Sequence, residues 1–164
     1  MNKKKFVIVF IILIICILIS LLIIGGQKED KMENNDNNKG EEVNMIKLSV
    51  NGKILDIKLE NNSSSVAFME KLKNGEIIVK AEDYGNFEKV GDLGFDLPTN
   101  DKQITTEPGD LILYQGNKIT LYYDTNTWTF TKLGKVQNVS KENLKQILGS
   151  DDVTLKFSLE NTDV

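Results

Sequence analysis

The sequence predicts a mainly β domain, an antiparallel barrel or sandwich of about eight strands with two short helices. Apolar and polar residues alternate at the two-residue period of a half-buried strand in several short runs, as in Met45-Ile46-Lys47-Leu48-Ser49-Val50. These runs follow one another through turn dipeptides such as Asn51-Gly52 and Gly116-Asn117. Only two segments carry the spacing of an amphipathic helix, too few for the alternating strand and helix order of a parallel sheet.

The folded part, residues 45–164, begins near Met45 with a hairpin around Asn51-Gly52, the pair best suited to a turn with positive φ at both central residues. The polar run 61–65 supplies caps for a helix in which Val66, Phe68, Met69 and Leu72 recur at helical spacing, and Asn74-Gly75 stops it. Phe68 and Met69 read as plugs for the mouth of a barrel. Residues 76–83 form a strand through Ile77, Ile78, Val79 and Ala81. A second hairpin is entered through Glu107-Pro108-Gly109-Asp110, whose Pro and Gly positions suit a type II turn, and it reverses at Gly116-Asn117. After the polar turn 124–127, residues 128–136 form a strand with Trp128, Phe130 and Lys132 on one face. Ser140 caps a second helix with Leu144, Ile147 and Leu148 as its apolar stripe, Gly149 ends it, and residues 153–159 alternate again to close the sheet.

The stretch 84–114 lacks a regular pattern. It holds both prolines of the chain, two Gly-Asp-Leu units at 91–93 and 109–111, and Gly85, Gly91 and Gly94, which argue against a long regular strand. Loops longer than about 12–15 residues in a compact domain are usually functional or disordered. The stretch is therefore expected to form the rim of a site, the alternative being a structural crossover that covers one end of a barrel.

Residues 6–24 are an apolar run relieved only by Cys16 and Ser20. As a helix the run extends ~28 Å, close to the ~30 Å hydrocarbon core of a bilayer. Residues 1–26 are thus expected to be an N-terminal transmembrane anchor. Lys3, Lys4 and Lys5 precede the span while Lys28 and Lys31 follow it more sparsely, which predicts a cytoplasmic N-terminus and an extracytoplasmic domain at the cell membrane. A cleaved signal peptide ending near Gly25-Gly26 is the alternative; a lipoprotein signal at Cys16 is opposed by the bulky Ile14 and Ile15 before it. Residues 27–44, rich in Asn, Asp, Glu and Lys, are expected to be a disordered polar linker.

Composition excludes several functions. The chain has 164 residues, a net charge of −4 and no His, and all its basic side chains are Lys. Without His it has no default general base near neutral pH and no imidazole metal ligand. Without Arg it has no bidentate clamp for carboxylate or phosphate and no Arg to read base edges, so no nucleic-acid partner is expected. One cysteine allows neither an internal disulfide nor a thiolate cluster. Asp92, Asp96, Asp110 and Asp124 suggest hydrolase or Ca²⁺ chemistry only weakly, because Asp in a turn ordinarily holds local backbone. No cofactor and no metal are expected.

The order of hairpin, helix, strand, the Gly-Asp-Leu (91–93) and Leu-Pro-Thr-Asn (97–100) segment, then Pro-Gly-Asp-Leu-Ile-Leu-Tyr (108–114), Tyr-Tyr-Asp (122–124), a Thr/aromatic strand and a final helix-Gly-strand resembles the bacterial cyclophilin-like domain family. The resemblance covers about residues 45–160 and implies a closed cyclophilin-like β-barrel with helices at its ends. Cyclophilins rotate X-Pro bonds with an Arg that supports the twisted amide beside an apolar pocket; this chain has no Arg, so that machinery does not carry over. Val90 and Gly94 also stand where the family favours Tyr and Pro. What the resemblance implies instead is the groove, with Phe95, Leu97, Tyr114, Trp128 and one of Tyr122 and Tyr123 as its walls, since strand alternation lets only one of those two tyrosines face inward. The expected function is a non-catalytic module that binds a peptide or small ligand. The alternatives are a peptidyl-prolyl isomerase in which Lys or Tyr replaces the Arg, and a structural docking module of the cell envelope.

Overall fold

The computed structural model describes residues 44–159; the expected membrane helix over 6–24 and the linker up to residue 43 lie outside them. Among the described residues no helix is long and apolar enough to cross a membrane. The strands are β1 (Met45–Val50), β2 (Lys53–Leu59), β3 (Ile77–Tyr84), β4 (Glu88–Asp92), β5 (Lys102–Thr105), β6 (Asp110–Tyr114), β7 (Lys118–Tyr122), β8 (Thr127–Val136) and β9 (Val153–Leu159), with helices α1 (Ser63–Leu72) and α2 (Lys141–Leu148).

Eight of the nine strands close a barrel in the order β2-β1-β9-β3-β4-β7-β6-β8, with β8 returning to β2. Every pairing is antiparallel. The ninth strand, β5, pairs only with the first half of β8, Lys102 opposite Phe130 and Thr105 opposite Thr127. Closure depends on Gly134 in β8. A Cβ there would lie 2.6 Å from the carbonyl oxygen of Lys58, so only glycine lets β2 come alongside. A bulge in the β6–β8 pairing between Leu111 and Ile112 adds the bend that a small barrel needs.

The interior is filled by one side of each strand, including Ile46, Leu48, Ile57, Val79, Leu111, Leu113, Ile119, Leu121, Leu155 and Phe157, all buried. Helix α1 starts at Asn62, whose side chain accepts from the Ser65 amide at 2.9 Å, and it inserts Phe68 edge-on against Phe157 at 5.5 Å. Phe68 is the plug that the spacing predicts; Met69 is only half-buried. Helix α2 is capped by Ser140, ends at Gly149 and delivers Leu144 and Leu148 to the same core.

The stretch 84–114 departs from the expected long loop, for it contains β4 and β5. The glycine pattern is the reason for the difference. Gly91 sits inside β4, where a Cβ would lie 2.3 Å from the Lys80 carbonyl oxygen and 2.4 Å from Val79 Cγ1, so it marks close approach of β3 rather than a loop. The irregular remainder is tied down at both ends. Leu93 and Leu97 donate to the carbonyls of Asn117 and Gly116 at 2.8 Å each. Ser64 Oγ donates to the Pro98 carbonyl at 2.5 Å, and Asn100 donates its backbone N–H to Thr131 Oγ1 at 2.7 Å. This segment is a stapled crossover between β4 and β5.

Candidate functional site

A second apolar cluster lies outside the barrel core. Strand alternation turns Glu88, Val90 and Asp92 of β4 outward, and the register sets them opposite Tyr122, Thr120 and Lys118 of β7. Tyr114 of β6 lies beside Lys118, and Ile112 beside Thr120. Ile112, Tyr122 and Phe130 form the buried centre, with Phe87, Ile104 and Tyr114 packed around it. The rings make a continuous ladder. Tyr84 meets Phe87 edge-on at 5.9 Å, Phe87 stacks on Tyr122 at 6.2 Å, Tyr122 meets Phe130 at 5.8 Å, and Phe130 meets Tyr114 at 6.0 Å.

These rings surround an open groove of about 580 Å³, with Trp128 on one wall and Lys80 and Glu82 of β3 on another. That volume is within the range of small-ligand sites, ~300–1,000 Å³. Trp128 is 60% exposed although it is the chain's only tryptophan and sits on a well-paired strand. Across the β5–β8 pairing it is opposite Ile104.

Glu88 is the unusual polar group. It lines the groove, is 8% exposed, and its Oε2 has no hydrogen-bond partner in the protein. Burial raises its pKa above the ordinary carboxylate value, with the nearby Tyr122 hydroxyl pulling the other way. Burial, together with Glu88, also pushes the Tyr122 phenol up, so Tyr122 stays protonated at neutral pH. Asn126 Nδ2 donates to Tyr122 Oη at 3.5 Å from the turn before β8.

The structure brings together Tyr114, Tyr122 and Trp128 of the residues that the sequence offers as groove walls. It places the others elsewhere. Leu97 is buried in the barrel core, and Phe95 packs at the edge of that core with Lys71 Nζ 4.9 Å from its ring centre. Tyr123 turns into the core, as alternation requires once Tyr122 faces the groove, and donates to Asp83 Oδ1 at 2.5 Å. Glu88, Phe87 and Tyr84 are the groove residues that sequence reasoning missed. The signal was present in the alternation Glu88-Val90-Asp92, which was hidden by reading Gly91 as a loop residue. The turn aspartates hold backbone: Asp92 accepts from Gly94 at 2.7 Å and Asp110 from Glu107 at 2.9 Å.

An eight-stranded closed antiparallel barrel with an aromatic groove on its outer face defines the class of protein. The cyclophilin-like family model matches residues 48–158, and the chain belongs to the cyclophilin-like family. Among solved structures, the chain is similar in fold to McbB in complex with tryptophan, with a TM-score of 0.52 and 10% identity over 73% of this chain. The match spans 46% of the McbB chain, so this chain covers less than half the length of that protein. No curated protein matches the chain in sequence.

Proposed function

We propose that the chain is a membrane-anchored, extracytoplasmic cyclophilin-like module that binds a peptide or small ligand in the outer groove without chemistry of its own. The observation that carries this reading is the ring ladder from Tyr84 to Tyr114 around an open groove, on a barrel whose interior is already filled. Tyr84 and Trp128 are the rings left exposed at the groove, and exposed apolar surface gathered around a cleft marks a binding site. The chain's lack of Arg and His supports binding over catalysis. The anchor is residues 6–24, with the lysines at 3–5 on the cytoplasmic side and the linker 27–44 carrying the domain outward.

The binding test uses the purified full-length chain in detergent micelles. Pro-containing peptides and small aromatic compounds are titrated while the emission of Trp128, the single tryptophan, is followed. A saturable shift is expected with part of the panel, and silence across the whole panel overturns the reading. Protease added to intact cells should remove the domain, whereas protection until the cells are lysed overturns the outward orientation.

A further inference from the structure

We infer that Glu88 is the anchoring group of the groove and that the groove selects ligands carrying a protonated amine on an apolar stem. This inference rests on the groove reading above. Three observations support it.

The first is the unpartnered oxygen. A carboxylate that is 8% exposed, with the Tyr122 hydroxyl nearby but Oε2 itself unpaired, is a costly arrangement for the free protein, because a buried acceptor ordinarily finds a partner. The terminal torsion of a glutamate is broad and two-fold, so a half-turn about it exchanges the two oxygens. A ligand that brings N–H donors and a positive charge satisfies the oxygen and neutralises the charge together.

The second is the company that Glu88 keeps. Its cross-strand partner is Tyr122, and Tyr122 lies between the rings of Phe87 and Phe130. Tyr122 and Phe130 are buried, so the ring nearest to hand for an ammonium held by the carboxylate is the partly exposed Phe87, and aromatic rings attract cations. The apolar stem lies along the ladder toward Tyr114 and Trp128.

The third is the charge of the walls. The groups that line the groove with Glu88 are Glu82, Asp92, Lys80 and Lys118. Lys118 is 4.0 Å from Asp92, and with one further lysine, Lys80, against two further carboxylates, Glu82 and Glu88, the lining has a formal surplus of one negative charge. A cationic ligand complements that surplus and an anionic one does not.

The test again follows Trp128 emission in the full-length chain, with two matched pairs of probes. Phenethylamine is set against phenethyl alcohol, and acetyl-Gly-Lys-Gly-amide against the same peptide with norleucine in place of lysine. The amine is expected to bind at least about tenfold more tightly than its neutral partner in one pair or both, and the pair that shows the preference tells a small amine from a peptide side chain. Glu88→Gln is expected to erase the preference of the amine over its neutral partner, and Glu88→Asp to keep part of it. The comparison within wild type needs no variant, so it stands even if a substitution fails to fold. Equal affinity within both pairs, or a preference that survives in Glu88→Gln, overturns the role of Glu88 but leaves the groove reading intact. Silence of Trp128 toward all four probes overturns the role of Glu88, and the groove reading falls with it only when the peptide and aromatic panel above is silent too.

Discussion

Lys89 Nζ, fully buried inside the barrel, donates to Asp83 Oδ1 at 2.6 Å and to the carbonyl of Asp151 at 2.7 Å. Tyr123 donates to the same Asp83 oxygen at 2.5 Å, and its ring centre is 5.7 Å from the ammonium. The pair ties β3, β4 and the segment ahead of β9 together behind the wall that carries Glu88. Removing one partner strands the other charge. Lys89→Met is therefore expected to destabilise the domain by about 3–5 kcal/mol, measured as a lowered denaturant midpoint at unchanged slope. A loss under about 1 kcal/mol would mean that the pair contributes little.

The same aspartate sets the response to acid. Burial pushes the Asp83 carboxyl up, but the bonds from Lys89 and Tyr123 outweigh it and hold the pKa below the usual carboxylate value. A pKa depressed by folding contributes stability above the unfolded value, ~3.9 for Asp, that is lost as pH falls through the folded value. Wild type is thus expected to lose stability below about pH 4 more steeply than Asp83→Asn, which lacks that titration. Thermal melts across pH 2–6 check this, and parallel acid limbs for the two proteins would count against it.

Glu88 works in the opposite direction. Its raised pKa means that stability is greatest below the unfolded value, ~4.3 for Glu, and declines as pH rises through the folded value. Once ionised, the desolvated carboxylate costs stability in the unliganded protein. Glu88→Leu removes it against Tyr122 and Phe87 and is expected to stabilise the domain by about 1 kcal/mol, read as an upward shift in the midpoint at pH 7. No gain would show that Glu88 finds compensation in the free protein.

How much of this was legible in the sequence depends on the element. The hairpin at Asn51-Gly52, with positive φ at both residues, the caps at Asn62 and Ser140 and the stop at Gly149 follow from local chemistry that each short segment carries within itself. The barrel's closure does not. It depends on Gly134 meeting Lys58 and Gly91 meeting Lys80, contacts between strands distant in sequence, and a glycine that serves close approach reads locally like one that serves a turn. The groove was half visible for the same reason. Tyr114, Tyr122 and Trp128 stand out as aromatics on evident strands, whereas Glu88 declares itself only when β4 is known to lie against β7.

Gly91→Ala tests that distinction. The added methyl meets a backbone carbonyl of β3, which cannot rotate away as a side-chain end would. Overpacking of this kind costs about 1–3 kcal/mol, and the displaced β4 carries Glu88 with it. The variant is expected to unfold at lower denaturant and, at conditions where it is folded, to show a changed Trp128 response to any ligand that binds wild type. Wild-type stability in Gly91→Ala would mean that β3 and β4 separate easily at this point.

The last prediction concerns catalysis. Rotation about a peptide bond has a barrier of ~18–20 kcal/mol, and an enzyme lowers it by supporting the amide in its twisted state. In the groove the available cations are Lys80 and Lys118, the latter beside Asp92. An ammonium is a compact point charge on a flexible stem and lacks the planar fork of a guanidinium that holds an amide oxygen in a fixed direction. The excess of carboxylates over lysines in the groove further disfavours a carbonyl oxygen that gathers negative charge. A protease-coupled proline isomerisation assay with the full-length chain is expected to give the uncatalysed rate. Acceleration that rises with protein concentration and disappears in Lys80→Met would instead make Lys80 the supporting group and the module an isomerase.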